Sequence, residues 1–305
     1  MNKDLDISKI SIGNWLNIEK NNFNNFKEII EFSFENKVNY FDTASSYDFG
    51  EESLGYAIKD LRRKDIILST KYFNFKDSSY ELGLPVNYLN DSMQISLDKI
   101  KTNYIDIIFM HNYHKNIKLY DLIKALNNLY IKGYIRSWGV SRWPEDKIKE
   151  SLVISSKYNF VPIKYYQGVF NLFNLSKKQL NFIKFLNKLS IKYIGYSPLA
   201  RGVLTNKYYS SIPKNSRAAN QEKAKFIYDL KKDKLNKVNT LVSIAENNKC
   251  TVTQLVMSYL MKLDAHSLLT SCVKVEQIKE VLRSRKIALS SEEENTIKEK
   301  FNIYG

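Results

Sequence analysis

Eight times along its length the chain passes from a short apolar run to a longer segment whose apolar residues recur every three or four positions. The runs of strand length cover residues 10–15, 38–44, 66–71, 104–111, 137–141, 165–170, 192–197 and 267–272. Between and after them, helical spacing is read over 23–36, 51–63, 88–100, 119–132, 144–157, 176–189, 222–248, 251–262, 275–283 and 291–301. Local punctuation agrees: Gly133 stops one helix, Pro144 starts another and Ser176 caps a third.

Strands alternating with helices predict right-handed βαβ units and a parallel sheet. An open doubly wound sheet would carry a glycine-rich phosphate turn after its first strand, and Ile12-Gly13-Asn14-Trp15 does not provide one. Eight units without that turn predict a closed (β/α)8 TIM barrel. It forms one domain over residues 1–305, with an irregular cofactor-covering loop near 199–220 and a C-terminal helix near 291–301. Apolar content of 44% and charged content of 26% suit an ordinary core and give no reason to invoke disorder.

The remaining composition excludes several classes of function. No apolar run approaches a membrane span, and the first ten residues lack the apolar block of a secretory leader. Cys250 and Cys272 are too few for a disulfide framework and lack metal spacing, which places the chain in a reducing cytoplasm. The formal charge of +15 is spread over nearly every helix, interleaved with acids, and no nucleic-acid-binding pattern accompanies it. His111, His114 and His266 form no metal-ligand pattern, so no metal is expected. The expected partner is a small molecule, with self-association left open.

In such a barrel the site lies at the C-terminal ends of the strands. Those ends are Trp15, Asp42, Lys71, His111, Ser141, Gln167, Tyr196 and the segment around Cys272, and Tyr47 sits in the loop after Asp42. An acid, a lysine and a histidine finishing apolar strands are costly to bury unpaired, so they point to chemistry. Protonating a carbonyl oxygen as it receives a hydride needs such a set. A tyrosine with an ordinary pKa of about 10 holds its proton but releases it poorly, and a neighbouring ammonium is expected to lower that value. Lys71 would supply the ammonium, Asp42 would hold Lys71 charged, and a neutral His111 would orient the carbonyl.

The order and spacing of several stretches resemble the aldo-keto reductase family over nearly the whole chain. They are Phe41-Asp42-Thr43-Ala44 with Tyr47, Glu52-Ser53-Leu54-Gly55, Thr70-Lys71, Ser96-Leu97, Tyr104-Ile105-Asp106, His111, Trp138-Gly139-Val140-Ser141-Arg142-Trp143, Gln167 and Tyr196-Ser197-Pro198-Leu199-Ala200. The resemblance implies Tyr47 as general acid, Lys71 and Asp42 as its tuning pair, and His111 as the carbonyl-orienting residue. It implies a dinucleotide held at Gly13, Asn14 and Trp15, with Ser141, Arg142 and Gln167 on the carboxamide and Tyr196 stacked on the nicotinamide. Ser197, Pro198, Leu199, Arg201, Lys207 and Arg217 would line the pyrophosphate, and Lys274, Gln277 and Glu280 the adenosine end. Where the family has other residues at that end, this chain has Ser271, Val273 and Val281, so NADPH is expected ahead of NADH chiefly through Lys274.

Substrate contacts are expected from Trp15, Tyr72, Phe73, Asn112 and the loop 74–85. Ser141-Arg142-Trp143 and the run Ser156-Lys157-Tyr158-Asn159-Phe160-Val161-Pro162 are similar to the branch containing the beta subunits of voltage-gated potassium channels. The leading expectation is NADPH-dependent carbonyl reduction. The alternative is a cofactor-sensing regulatory subunit with slow turnover, and a third reading is a barrel that has lost its cofactor.

Overall fold

Eight parallel strands close on themselves in the order β1 to β8, each hydrogen-bonded to its neighbours in sequence, with β8 returning to β1. They are β1 Ile10–Gly13, β2 Tyr40–Asp42, β3 Ile67–Tyr72, β4 Ile105–Met110, β5 Ile135–Ser141, β6 Tyr165–Val169, β7 Lys192–Tyr196 and β8 Ser267–Thr270. The structure, a computed structural model, describes residues 4–15, 19–72, 86–208, 211–214, 216–220 and 232–303. Within these residues the helices are α1 Phe23–Glu35, α2 Gly50–Ile58, α3 Val86–Ile100, α4 Leu119–Ile131, α5 Glu145–Tyr158, α6 Lys177–Lys188, α7 Lys232–Asn247, α8 Val252–Met261, α9 Val275–Arg283 and α10 Ser291–Phe301. This is the single-domain (β/α)8 barrel that the alternation predicts.

The punctuation acts as its chemistry dictates. Ser176 accepts from the Gln179 backbone N–H at the head of α6, and Gly133 takes a φ of 76° just past α4. Boundaries differ from the sequence expectation at strand ends and at α2, which was expected over 51–63 and ends at Ile58. β1 stops at Gly13 rather than residue 15, and β2 shrinks to three residues, although backbone bonds to β3 continue beyond it from the Thr43 and Ser45 N–H groups to the Ser69 and Lys71 carbonyls. The predicted helix over 222–248 begins, within the described residues, at Lys232. The stretch expected to be irregular holds short 3-10 turns at Ala200–Thr205 and Arg217–Ala219.

Strand parity divides the core into two. Alternate strand residues point to opposite faces, so Tyr40, Ile67, Ile107, Phe109, Tyr165, Ile194 and Leu269 fill the barrel's interior. Leu68, Ile108, Val140 and Tyr166 face outward into the larger cluster under the helices. Each buried large apolar side chain contributes about 1.5–3 kcal/mol.

Gly139 makes the interior layer fit. A Cβ there would lie 2.6 Å from the Tyr165 carbonyl oxygen and 2.6 Å from a ring carbon of Phe109. Gly139→Ala is therefore expected to cost about 1–3 kcal/mol by overpacking, read as a drop in the urea midpoint. An unchanged midpoint would mean that the aromatic layer can yield.

Candidate active site

The register sets side chains of β2, β3 and β6 against one another. Asp42 lies opposite Ser69 across the β2–β3 pair, and Lys71 follows two residues later on the same face. Lys71 Nζ donates to Asp42 Oδ2 at 2.5 Å and to the Thr43 carbonyl at 2.6 Å, with both side chains of the ion pair almost fully buried. The other carboxylate oxygen of Asp42 accepts from Ser69 Oγ at 2.6 Å and from Gln167 Nε2 at 3.0 Å. Burial pushes Lys71 below the ordinary lysine value, and the Asp42 charge opposes that push.

Tyr47 hangs over this pair on the turn between β2 and α2. Its N–H donates to the Ala44 carbonyl at 3.0 Å, and its own carbonyl accepts from Gly50 N–H at 2.9 Å. Gly50 must stay small: a Cβ there would come within 2.7 Å of Thr43 Oγ1 and 2.8 Å of Tyr47 Cβ. Lys71 Nζ stands 5.1 Å from the centre of the Tyr47 ring. The His111 ring meets Tyr47 edge-on at 6.2 Å, and Trp15 lies tilted against it at 6.5 Å.

The electrostatics match the sequence expectation for His111 and depart from it for Tyr47. Burial first, then the charges of Lys71 and Arg142, push His111 down to about 3, so its imidazole is neutral at physiological pH. Its Nδ1 is buried with no hydrogen-bond partner among the described residues. Tyr47 was expected to be lowered by Lys71. Instead burial, followed by the charges of Asp42 and Tyr196, pushes its phenol well above the ordinary value, with Arg142 alone opposing. The physical reason is first burial, which penalises the phenolate, and then the Asp42 carboxylate, which lies 2.5 Å from the Lys71 ammonium and adds to the same push. A phenol so placed keeps its proton and can give it only to a strongly basic oxygen.

Around this group the other predicted positions fall into three sets. Ser141 and Gln167 are cross-strand partners in β5 and β6, and Tyr196 ends β7 half-buried on the interior cluster. Arg142 takes a left-handed backbone with φ 59° and donates from Nη1 to Asn112 Oδ1 at 3.3 Å. The Arg201 guanidinium lies 4.8 Å over the Trp15 ring, close to Ser197, Pro198 and Leu199 in the chain.

Arg201, Lys207 and Arg217 form a second set. Burial and then Arg217 push Lys207 down, while Arg201 is among the charges that push Arg217 down after burial. Such crowding of cations suits a pyrophosphate. The third set lies on and just before α9, where Cys272 feels the charges of both Glu280 and Arg217. Lys274 precedes α9, Gln277 Oε1 accepts from Val273 N–H at 2.8 Å, and Glu280 accepts from Thr251 Oγ1 at 2.6 Å. Val281 is buried in the outer core, whereas Val273 is exposed.

Tyr72 requires correction. It was expected in the substrate pocket, but it lies one residue beyond Lys71 and therefore on the opposite face. Its hydroxyl donates to the Ser92 carbonyl of α3, and its ring packs in the outer core. Phe73 and the loop 74–85 lie outside the described residues. Asn14 donates its amide to the Gly50 carbonyl at 2.7 Å and to Ser53 Oγ at 3.2 Å, which ties β1 to α2. Gly13 sits against Leu269.

Sequence reasoning missed Ser69 and Tyr40, which share the Asp42 network. Counting back two residues from Lys71 and from Asp42 would have found both.

Comparison with known proteins agrees with this architecture. An aldo/keto reductase from Klebsiella pneumoniae, solved with NADP and acetate, superposes with a TM-score of 0.76 at 18% identity, over 97% of this chain and 92% of its own. A thermostable aldo-keto reductase solved with the inhibitor epalrestat gives a TM-score of 0.76 at 22% identity, covering 96% and 95%. At these identities the likeness shows the fold. Residues 9–302, nearly the full length, match the Aldo/keto reductase family, and the chain belongs to that family.

Proposed function

We propose that this protein reduces an aldehyde or ketone to the alcohol with NADPH, NADH being the lesser alternative. The observation that carries the reading is the convergence of Tyr47, Lys71, Asp42 and His111 at one barrel mouth: Lys71 is hydrogen-bonded to Asp42 and lies 5.1 Å from the centre of the Tyr47 ring, which stands 6.2 Å from that of His111. NADPH supplies the hydride when bound. Arg201, Lys207 and Arg217 would hold its pyrophosphate, Ser141, Arg142 and Gln167 its carboxamide, and Tyr196 the nicotinamide face. Trp15 and Gly13 would line the same side. Lys274, Gln277 and Glu280 are assigned to the adenosine end.

The protein's own residues then manage one proton and one oxygen. Neutral His111 donates a hydrogen bond that orients the substrate carbonyl, and Tyr47 delivers its proton as that oxygen becomes an alkoxide. A raised phenol value is compatible with this role, because an alkoxide is far more basic than a phenolate. Lys71, held charged by Asp42, favours the phenolate left behind.

Purified protein is expected to oxidise NADPH with members of an aldehyde panel, and NADPH is expected to quench the fluorescence of Trp15, Trp138 or Trp143 saturably. Failure with every carbonyl would remove the reading, and absent quenching would point to a barrel without a dinucleotide. The sequence similarity of Ser141-Arg142-Trp143 to potassium channel beta subunits suggests a second reading: a regulatory subunit that holds its cofactor and turns over slowly. The tightly held Tyr47 proton favours it, whereas the presence of His111 favours the enzyme. Cofactor retained through purification with slow turnover on all carbonyls would select the subunit. The scarcity of cysteine supports a cytoplasmic location for either form. Among the described residues no helix is long and apolar enough to cross a membrane.

A further inference from the structure

Asp42 is gripped on the side away from Lys71 by donors whose direction is fixed by chemistry. A carboxylate only accepts, so Ser69 Oγ spends its single proton on Asp42 Oδ1, 2.6 Å away. The Tyr40 hydroxyl, 2.8 Å from Ser69 Oγ, must then donate to the serine. Burial and the Asp42 charge hold the Tyr40 phenol well above its ordinary value, so the proton that this requires stays in place. Gln167 Nε2 donates to the same carboxylate oxygen at 3.0 Å. Tyr40 and Ser69 are both at 0% exposure and Gln167 at 3%, so bulk solvent does not reach these bonds.

With one proton to share, the pair has two forms: ammonium with carboxylate, or amine with carboxylic acid. Desolvation favours the neutral form, and hydrogen bonds aimed at the carboxylate favour the ionic one. Lys71 faces Asp42, Tyr47 and His111, and Arg142 acts on the last two of these. Asp42 is thus the one counter-charge among these groups, and its state decides that of Lys71.

We propose that Tyr40, Ser69 and Gln167 are positioning residues that keep the shared proton on Lys71 by stabilising Asp42 as the carboxylate. The step they prevent is balanced: a proton leaves Lys71 Nζ for Asp42 Oδ2, and both groups become neutral. The catalytic consequence rests on the reading of Tyr47 as the acid that Lys71 assists.

Ser69→Ala, Ser69→Thr and Tyr40→Phe test this by two routes, after thermal unfolding has confirmed that each variant folds. The first route is nitrogen-15 NMR of lysine-labelled protein at neutral pH, with the Lys71 signal assigned by Lys71→Met. Wild type and Ser69→Thr should show an ammonium, Ser69→Ala a shift toward the amine, and Tyr40→Phe a smaller shift the same way. The second is steady-state carbonyl reduction. Ser69→Ala should lose about tenfold or more in kcat, the scale of one hydrogen bond to a charged group, with KM for NADPH unchanged and Ser69→Thr restoring the rate.

An unshifted Lys71 signal in Ser69→Ala, or Ser69→Thr as impaired as Ser69→Ala, would overturn the proposal. If the NMR shift appears while wild type reduces no carbonyl, the proton-holding role stands and the reductase reading fails.

Discussion

Tyr47→Phe is expected to lose about 10²–10⁴-fold in carbonyl reduction, the usual range for removing a positioned general acid, while NADPH still binds. The change deletes one oxygen and leaves the ring, which packs at 6.5 Å from Trp15 and 6.2 Å from His111, so the pocket keeps its shape. The remaining rate would come from His111, whose neutral imidazole still orients the carbonyl but which Tyr47 no longer backs with a transferable proton. The pH profile adds a second signature. Because burial raises the phenol, its protonated form persists upward, and wild-type activity should not fall through the ordinary tyrosine range near 10 on account of Tyr47. A phenylalanine variant within about threefold of wild type would refute the acid assignment. Loss of NADPH binding together with the rate would make Tyr47 part of the cofactor site instead.

Asp106→Ala should cost about 3 kcal/mol of stability and leave kcat/KM within roughly twofold. Asp106 enters β4 at the end of the barrel away from Tyr47 and is fully buried. Its Oδ2 accepts from Arg63 Nη2 at 2.7 Å and from the Leu68 N–H at 2.9 Å, while Arg136 Nη1 approaches Oδ1 at 3.1 Å. Both guanidinium groups also lie over the Tyr104 ring, at 3.8 Å and 4.1 Å. Removing the carboxylate orphans a strand N–H and takes the anionic partner from Arg63 and Arg136, although Arg63 keeps its bonds to Thr102 and to the Ile66 and Tyr104 carbonyls. Arg63 and Arg136 are partly exposed, which keeps the loss at the lower end of that for a broken buried pair. Asp106→Asn, which retains an acceptor, should fall between wild type and alanine. A urea-unfolding loss below about 1 kcal/mol for Asp106→Ala would show that water satisfies the freed groups.

The fold was legible because eight strand-and-helix alternations leave few topologies, and the strand-end rule then named Asp42, Lys71 and His111. Tyr72 went astray because proximity in sequence was allowed to outweigh parity: adjacent strand residues face opposite layers. The direction of the Tyr47 shift was not legible, since it depends first on how deeply the ring is buried and then on the nearby Asp42 charge, neither of which sequence spacing supplies. The clamp of Arg63, Tyr104, Asp106 and Arg136 was also invisible. Tyr104 and Asp106 were visible only as part of a motif, and the two arginines come from segments more than 70 positions apart.

The closure of β8 onto β1 bears on how the molecule is born. Ile10, Ser11 and Ile12 pair with Leu268, Leu269 and Thr270, so the first strand emerges from the ribosome long before its final neighbour exists. At about 5–20 residues per second, roughly 13–50 s separate the two. Through that interval β1 carries an unsatisfied edge, a site for pairing with other nascent chains. The Gln167 bond to Asp42 likewise joins residues 125 positions apart. Activity should therefore return only with the last stage of refolding, and its yield should fall with protein concentration faster than early helix signals do.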